Sequence, residues 1–159
     1  MPVWVSDTSP ICYFARLGLL DVLRELLGQV RVPPAVVEEM DSGRASIPQL
    51  PDLRTLAWVR IESGLSTETA NSQLGPGETE ALQLAKSLSG ACLLLDDFQA
   101  RIRAAAQGIP VRGTLSLLVM AKEKRLIQEI GPLIVLLEEM GFRVSESLRN
   151  TVLNLAGEV

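Results

Sequence analysis

The sequence predicts an α/β fold on a mainly parallel central sheet. Three observations carry that expectation. Strand-like and helix-like segments alternate along the chain; the strand-like segments are continuously apolar, as strands covered on both faces are; and 159 residues make one ordinary domain with room for a core.

The elements follow in order. Strands are expected at Val3 to Ser6, Val30 to Val32, Ala57 to Ile61, Cys92 to Leu95, and near Pro110 to Arg112. Ser9 before Pro10 reads as an N-cap with proline at the first helical position, and the apolar run to Leu27 reads as two short helices broken near Gly18. Pro33-Pro34 opens a helix that ends by Gly43. Gly75-Pro76-Gly77 reads as a turn releasing a helix from Glu78 to about Leu88. Phe98 to Gln107 closes at Gly108, and Thr114 opens a helix through Lys124. Pro132 to Met140 and a last helix capped by Ser145 form a C-terminal helical hairpin. Asp41 to Pro76 is irregular apart from its strand, and no repeat interrupts the chain. The whole is expected to be one domain over 1–159, an α/β core over 1–125 with a helical extension over 126–159.

Composition narrows the chemistry. Hydrophobic residues are 47% and charged residues 21% of the chain, near the average for globular proteins. No apolar run reaches the length of a membrane span and the start lacks the basic region of a signal peptide, so the chain reads as cytoplasmic with no membrane partner. Cys12 and Cys92 lie in apolar stretches and read as packed thiols. With no histidine, serine-histidine triads and histidine acid-base chemistry are excluded. The net charge of −4 argues against a nucleic-acid partner, yet between Phe98 and Arg125 six cations face Glu123 alone, a local balance of +5.

The acids carry the functional signal. Asp7 follows the first strand directly, and Asp96 and Asp97 follow the fourth, at the carboxyl sheet edge where α/β proteins bind ligands. Capping accounts for one aspartate of the pair. At 100° per residue, Glu78 falls roughly 50° from the centre of its helix's apolar face and Glu80 roughly 110° away, so Glu78 points inward. Glu39 lies nearer the apolar border of its own helix than Glu38 does. Carboxylates converging from separate elements repel one another unless a cation offsets them. Oxygen ligands without histidine suit Mg²⁺ or Mn²⁺, and such a centre supports phosphodiester hydrolysis.

Four stretches then resemble the PIN domain, the metal-dependent ribonuclease fold that includes VapC-like toxins of toxin-antitoxin pairs: "VSDTSPI", "VPPAVVEEM", "GPGETEALQLA" and "LLLDDFQARIRAAAQGIPVRGTLSLLVMAK". The likeness spans nearly the whole chain and extends to Gly141-Phe142-Arg143-Val144-Ser145. It implies a PIN-like three-layer α/β/α fold and an RNA-cutting Mg²⁺ or Mn²⁺ centre built on Asp7, Glu39, Glu78 and Asp97, with Asp96 a rival for the last place. It also implies supporting hydroxyls at Thr8 or Ser9 and at Thr114. Arg101 and Arg112 become candidates for holding the RNA backbone. Asp7→Asn or Asp97→Asn is then expected to abolish cleavage. A small antitoxin and a homodimer are the partners such a chain would take besides RNA. Two other readings are a receiver-type phosphoacceptor domain, which normally pairs its acids after the first strand, and a PIN-like module that binds without catalysing.

Overall fold

The computed structural model describes residues 2–64 and 74–158. Among these residues five strands form one sheet: β1 (Val3–Ser6), β2 (Val30–Val32), β3 (Val59–Ile61), β4 (Ala91–Leu94) and β5 (Val111–Arg112). Their spatial order is β3-β2-β1-β4-β5, with every pairing parallel. The chain therefore builds outward from β1 to β3 on one side, then returns to lay β4 and β5 on the other. The switch point falls between β1 and β4, where open α/β sheets place their ligand crevice. Ser6 stands opposite Leu94, and the Asp7 N–H donates to the Leu94 carbonyl at 3.0 Å. Acids placed just after these two strands are thereby neighbours.

Among the described residues eight helices cover the sheet: α1 (Thr8–Arg16), α2 (Leu20–Leu27), α3 (Pro34–Gly43), α4 (Pro76–Ser87), α5 (Phe98–Ala106), α6 (Thr114–Glu123), α7 (Gly131–Glu139) and α8 (Glu146–Leu155). Strand alternation divides the interior in two. Trp4, Cys92 and Leu94 face the larger cluster, packed with α1, α2, α3, α6, α7 and α8; Val5, Leu93 and Leu95 face a smaller one with α4 and α5. Two covered faces explain why "LLL" runs without a polar break, and they give the three-layer α/β/α architecture expected of a PIN-like domain.

Several boundaries differ from expectation. α1 begins at Thr8 with Asp7 as its extended N-cap residue, so Pro10 occupies the third helical position. Proline is tolerated there because first-turn N–H groups have no intrahelical acceptor. Ser9 is freed from capping. α4 begins at Pro76, with Gly75 before it, where a turn was expected. β3 is shorter than expected because a bond from the Val59 N–H to the Leu56 carbonyl closes a turn just before it. β4 starts and ends one residue early, although Leu95 is still fully buried and donates its N–H to the Arg112 carbonyl. The break between α1 and α2 falls where expected, at Gly18 with φ +73°. In the irregular stretch, Arg54 bridges Asp41 and Asp52 beside a short 3₁₀ turn at Leu53–Thr55; its part at 65–73 lies outside the described residues.

The C-terminal helices belong to the core. Ile130, Ile134, Leu137 and Val152 are buried in the larger cluster. Glu158 accepts from the N–H groups of Ile130 (2.8 Å) and Gly131 (2.9 Å) at the start of α7 and from Lys122 Nζ of α6 (2.9 Å). Ser145 Oγ accepts from the Leu148 N–H, the cap read from the sequence.

Candidate active site

A cavity of about 480 Å³ opens at the switch point, and all five acids singled out in the sequence line it: Asp7, Glu39, Glu78, Asp96 and Asp97. They come from β1, α3, α4 and the β4–α5 turn. Sheet order brings the strand-end acids together, while α3 and α4 close the side.

Asp7 is the most deeply placed, 5% exposed at the end of β1. Burial pushes its carboxyl up from 3.8 to about 7; the Thr8 backbone N–H opposes this, and Glu78, Glu39 and Asp96 push it further up. Glu78 sits half-buried in the first turn of α4. Its carboxyl is likewise raised, by burial first and then by Asp97 and Glu39, against a long bond from the Gly75 N–H at 3.4 Å. The inward placement read from helical geometry holds.

The remaining acids are held by donors. Glu39 accepts from the Thr8 hydroxyl and, at 3.2 Å, from the Gly77 N–H. A Cβ on Gly77 would stand 2.2 Å from Glu39 Oε2, so glycine here leaves room for the Glu39 carboxylate against the start of α4. Asp96 accepts from the Thr114 N–H (2.8 Å), the Thr114 hydroxyl (2.7 Å) and the Ser9 hydroxyl (2.9 Å). Asp97 is exposed and accepts from the Ala100 N–H at 3.0 Å, capping α5. The adjacent acids thus divide: Asp97 starts the helix and Asp96 is clamped from α1 and α6. The three supporting hydroxyls, on Thr8, Ser9 and Thr114, all serve the acids.

Arg101 and Arg112 lie elsewhere. They line an adjoining cavity of about 490 Å³ that shares Asp96, Phe142 and Arg143 with the acidic one. Sequence reasoning missed part of the acidic wall: Cys12, Tyr13 and Arg16 on α1, and Gly141, Phe142 and Arg143 between α7 and α8. The α1 residues were legible, since Thr8, Cys12 and Arg16 recur at i, i+4 and i+8 on one helical face. Burial pushes the Cys12 thiol up, which leaves it a poor nucleophile at neutral pH. Glu80 was also missed in its role: it accepts from the Ala35 N–H at 3.1 Å and ties α4 to the start of α3.

The donor set is that of a hard divalent cation: all oxygen, no histidine, and a buried carboxylate in Asp7 with no cationic partner among the described residues. Among the described residues no group of three or more acids or thiols is gathered closely enough to hold a metal ion. What fits a cation here is the chemistry of the donors, and Mg²⁺ is usually held by one or two carboxylates with waters completing its shell. Asp7 comes first among them and Glu78 next, because their lone pairs are least engaged.

Among the described residues no helix is long and apolar enough to cross a membrane. No curated protein matches the sequence. A family model described as a PIN domain matches residues 3–158, nearly the whole chain. The chain belongs to the PIN-domain family, whose members are generally nucleases that use divalent metal ions.

Proposed function

We propose that this chain is a Mg²⁺- or Mn²⁺-dependent endoribonuclease, the toxin of a toxin-antitoxin pair. The observation that carries the reading is that five carboxylates from four separate parts of the chain line one cavity at the sheet's switch point, one of them buried without a counter-charge among the described residues. Such an arrangement is costly unless a cation enters it.

Asp7 and Glu78 would hold the ion, with Asp96 and Asp97 close by on the same cavity wall. When bound, the ion stabilises negative charge developing on the phosphoryl oxygens and lowers the pKa of water beside it. The chain's own residues orient the rest. Thr8 and the Gly77 N–H keep Glu39 turned into the cavity, where its carboxylate accepts a proton from the attacking water. Ser9 and Thr114 lock Asp96 in one rotamer. Arg101 and Arg112, beside the acids, hold flanking phosphates. A homodimer and a small antitoxin segment covering the acidic cleft complete the proposal, on the family likeness.

A second reading is a PIN-fold module that binds RNA without cutting it. It is favoured by the absence, among the described residues, of three acids already gathered for an ion. Incubating single-stranded RNA with the purified chain and Mn²⁺ separates the two. Cleavage that disappears in Asp7→Asn supports the nuclease; tight binding without cleavage, or full cleavage by Asp7→Asn, overturns it.

A further inference from the structure

The adjoining cavity has a composition the acidic site does not require. Its rim carries Arg101, Arg112 and Arg143, and its floor is apolar, built by Leu115, Val119 and Val152. Two leucines of α8 that border it stay open to solvent, Leu148 at 44% and Leu155 at 67% exposure. Phe142 and Arg143 stand on the boundary and line both cavities. Phe142 is held edge-on against Tyr13 of α1, ring centroids 5.1 Å apart and planes at 83°. An aromatic ring and an arginine therefore separate an acidic, ion-suited compartment from an apolar one rimmed with positive charge.

That sequence of surfaces matches the sequence of groups along a polynucleotide, where phosphates alternate with flat apolar bases. Single-stranded RNA is read by stacking bases on aromatic rings or guanidinium planes while basic side chains hold the backbone. The volume, about 490 Å³, suits one small ligand unit. Glu123, also on the rim, is the one acid here besides Asp96, and it lies toward the far end of α6.

Resting on the nuclease reading above, we propose that this groove is a nucleoside subsite. The nucleoside beside the scissile phosphate lies between Phe142 and the leucines of α8, and its outer phosphate is held by Arg112 and Arg143. The subsite sets which RNA residue flanks the cut.

The test uses the full chain in EDTA and a fluorescein-labelled single-stranded RNA of about ten nucleotides, with affinity read by fluorescence anisotropy at several salt concentrations. Arg112→Ala and Arg143→Ala are expected to weaken binding about tenfold and to lower the salt slope by about 0.7 each. Phe142→Ala is expected to weaken it about 5- to 150-fold with the slope unchanged. Leu155→Ser, at an exposed position where the fold is not at stake, should weaken binding in the same slope-independent way. Wild-type affinity in all four variants, while the wild-type chain still cuts RNA with Mn²⁺, overturns the subsite and leaves the nuclease intact. A chain that neither binds nor cuts RNA removes both. If Leu155→Ser breaks a dimer in sedimentation and leaves RNA affinity unchanged, the groove belongs to a second copy and the proposal fails.

Discussion

Replacing Asp7 with asparagine should make the metal-free protein more stable, by an amount that depends on pH. The Asp7 carboxyl is pushed up to about 7 in the folded state, from an ordinary value of 3.8, chiefly by burial. Between those values the folded chain binds a proton that the unfolded chain has released. Wild-type stability therefore falls as pH rises through that window. A gap of about three pH units at 1.36 kcal/mol each gives a ceiling of about 4 kcal/mol. Asparagine keeps the shape and cannot ionise, so it escapes the loss. The variant should match the wild type below about pH 4, gain through the window, and level off above about pH 7. For a chain of this size the plateau corresponds to roughly 8 to 16 °C in Tm. Thermal unfolding of both proteins in EDTA across this range measures it directly, and added Mn²⁺ should narrow the gap by stabilising the wild type alone. An Asp7→Asn protein no more stable than wild type at about pH 8 would refute the reasoning that the acid is buried without a counter-charge.

Other outcomes follow from the same contacts. Gly77→Ala should displace the Glu39 carboxylate, since the new Cβ would stand 2.2 Å from Oε2, and reduce RNA cleavage with little loss of stability, because what the methyl meets is the end of a flexible side chain; unchanged kinetics would count against Glu39. Thr114→Val should reduce cleavage by removing one of the Asp96 donors, and Thr114→Ser should restore it. Asp96→Asn should reduce cleavage more than Asp97→Asn does, because Ser9 and Thr114 clamp Asp96 into the site while Asp97 is exposed and serves as the α5 cap; asparagine still caps α5, so of these variants only Asp97→Ala should forfeit about 0.5 to 2 kcal/mol, and kinetics and urea melts of the three variants check this. Glu158→Gln should cost about 1 to 3 kcal/mol in urea unfolding through weaker bonds to two N–H groups and Lys122, with RNA cleavage unchanged.

The parallel sheet was legible chiefly from β1 and β4, whose side chains are buried on both faces, while β2, β3 and β5 carry Arg31, Arg60 and Arg112; the order of elements follows from Gly, Pro and capping residues. Element starts were less so. Ser9 followed by Pro10 carries a strong start signal, yet Asp7 is the residue that closes β1 and opens α1, since its extended backbone continues the strand. The five acids were legible by place: strand ends for Asp7, Asp96 and Asp97, and helical phase for Glu39 and Glu78. What separates Asp96 from Asp97 was not, because it depends on Thr114 arriving from a helix 18 residues later and Ser9 from one 87 residues earlier. Arg143 and Phe142 were hidden for the same reason, being brought to the site by the packing of α7 and α8. The C-terminal helices read as an addition by their amphipathic stripes; Ile134, Leu137 and Val152 show them completing the main core.

Titration of the metal-free protein with Mn²⁺ at about pH 8, wild type beside Asp7→Asn, tests the account at its centre. Saturable binding by the wild type, with protons released when the titration is repeated near pH 7 and binding lost in Asp7→Asn, is the predicted result. Equal uptake by both proteins, or none by either at millimolar Mn²⁺, would contradict it.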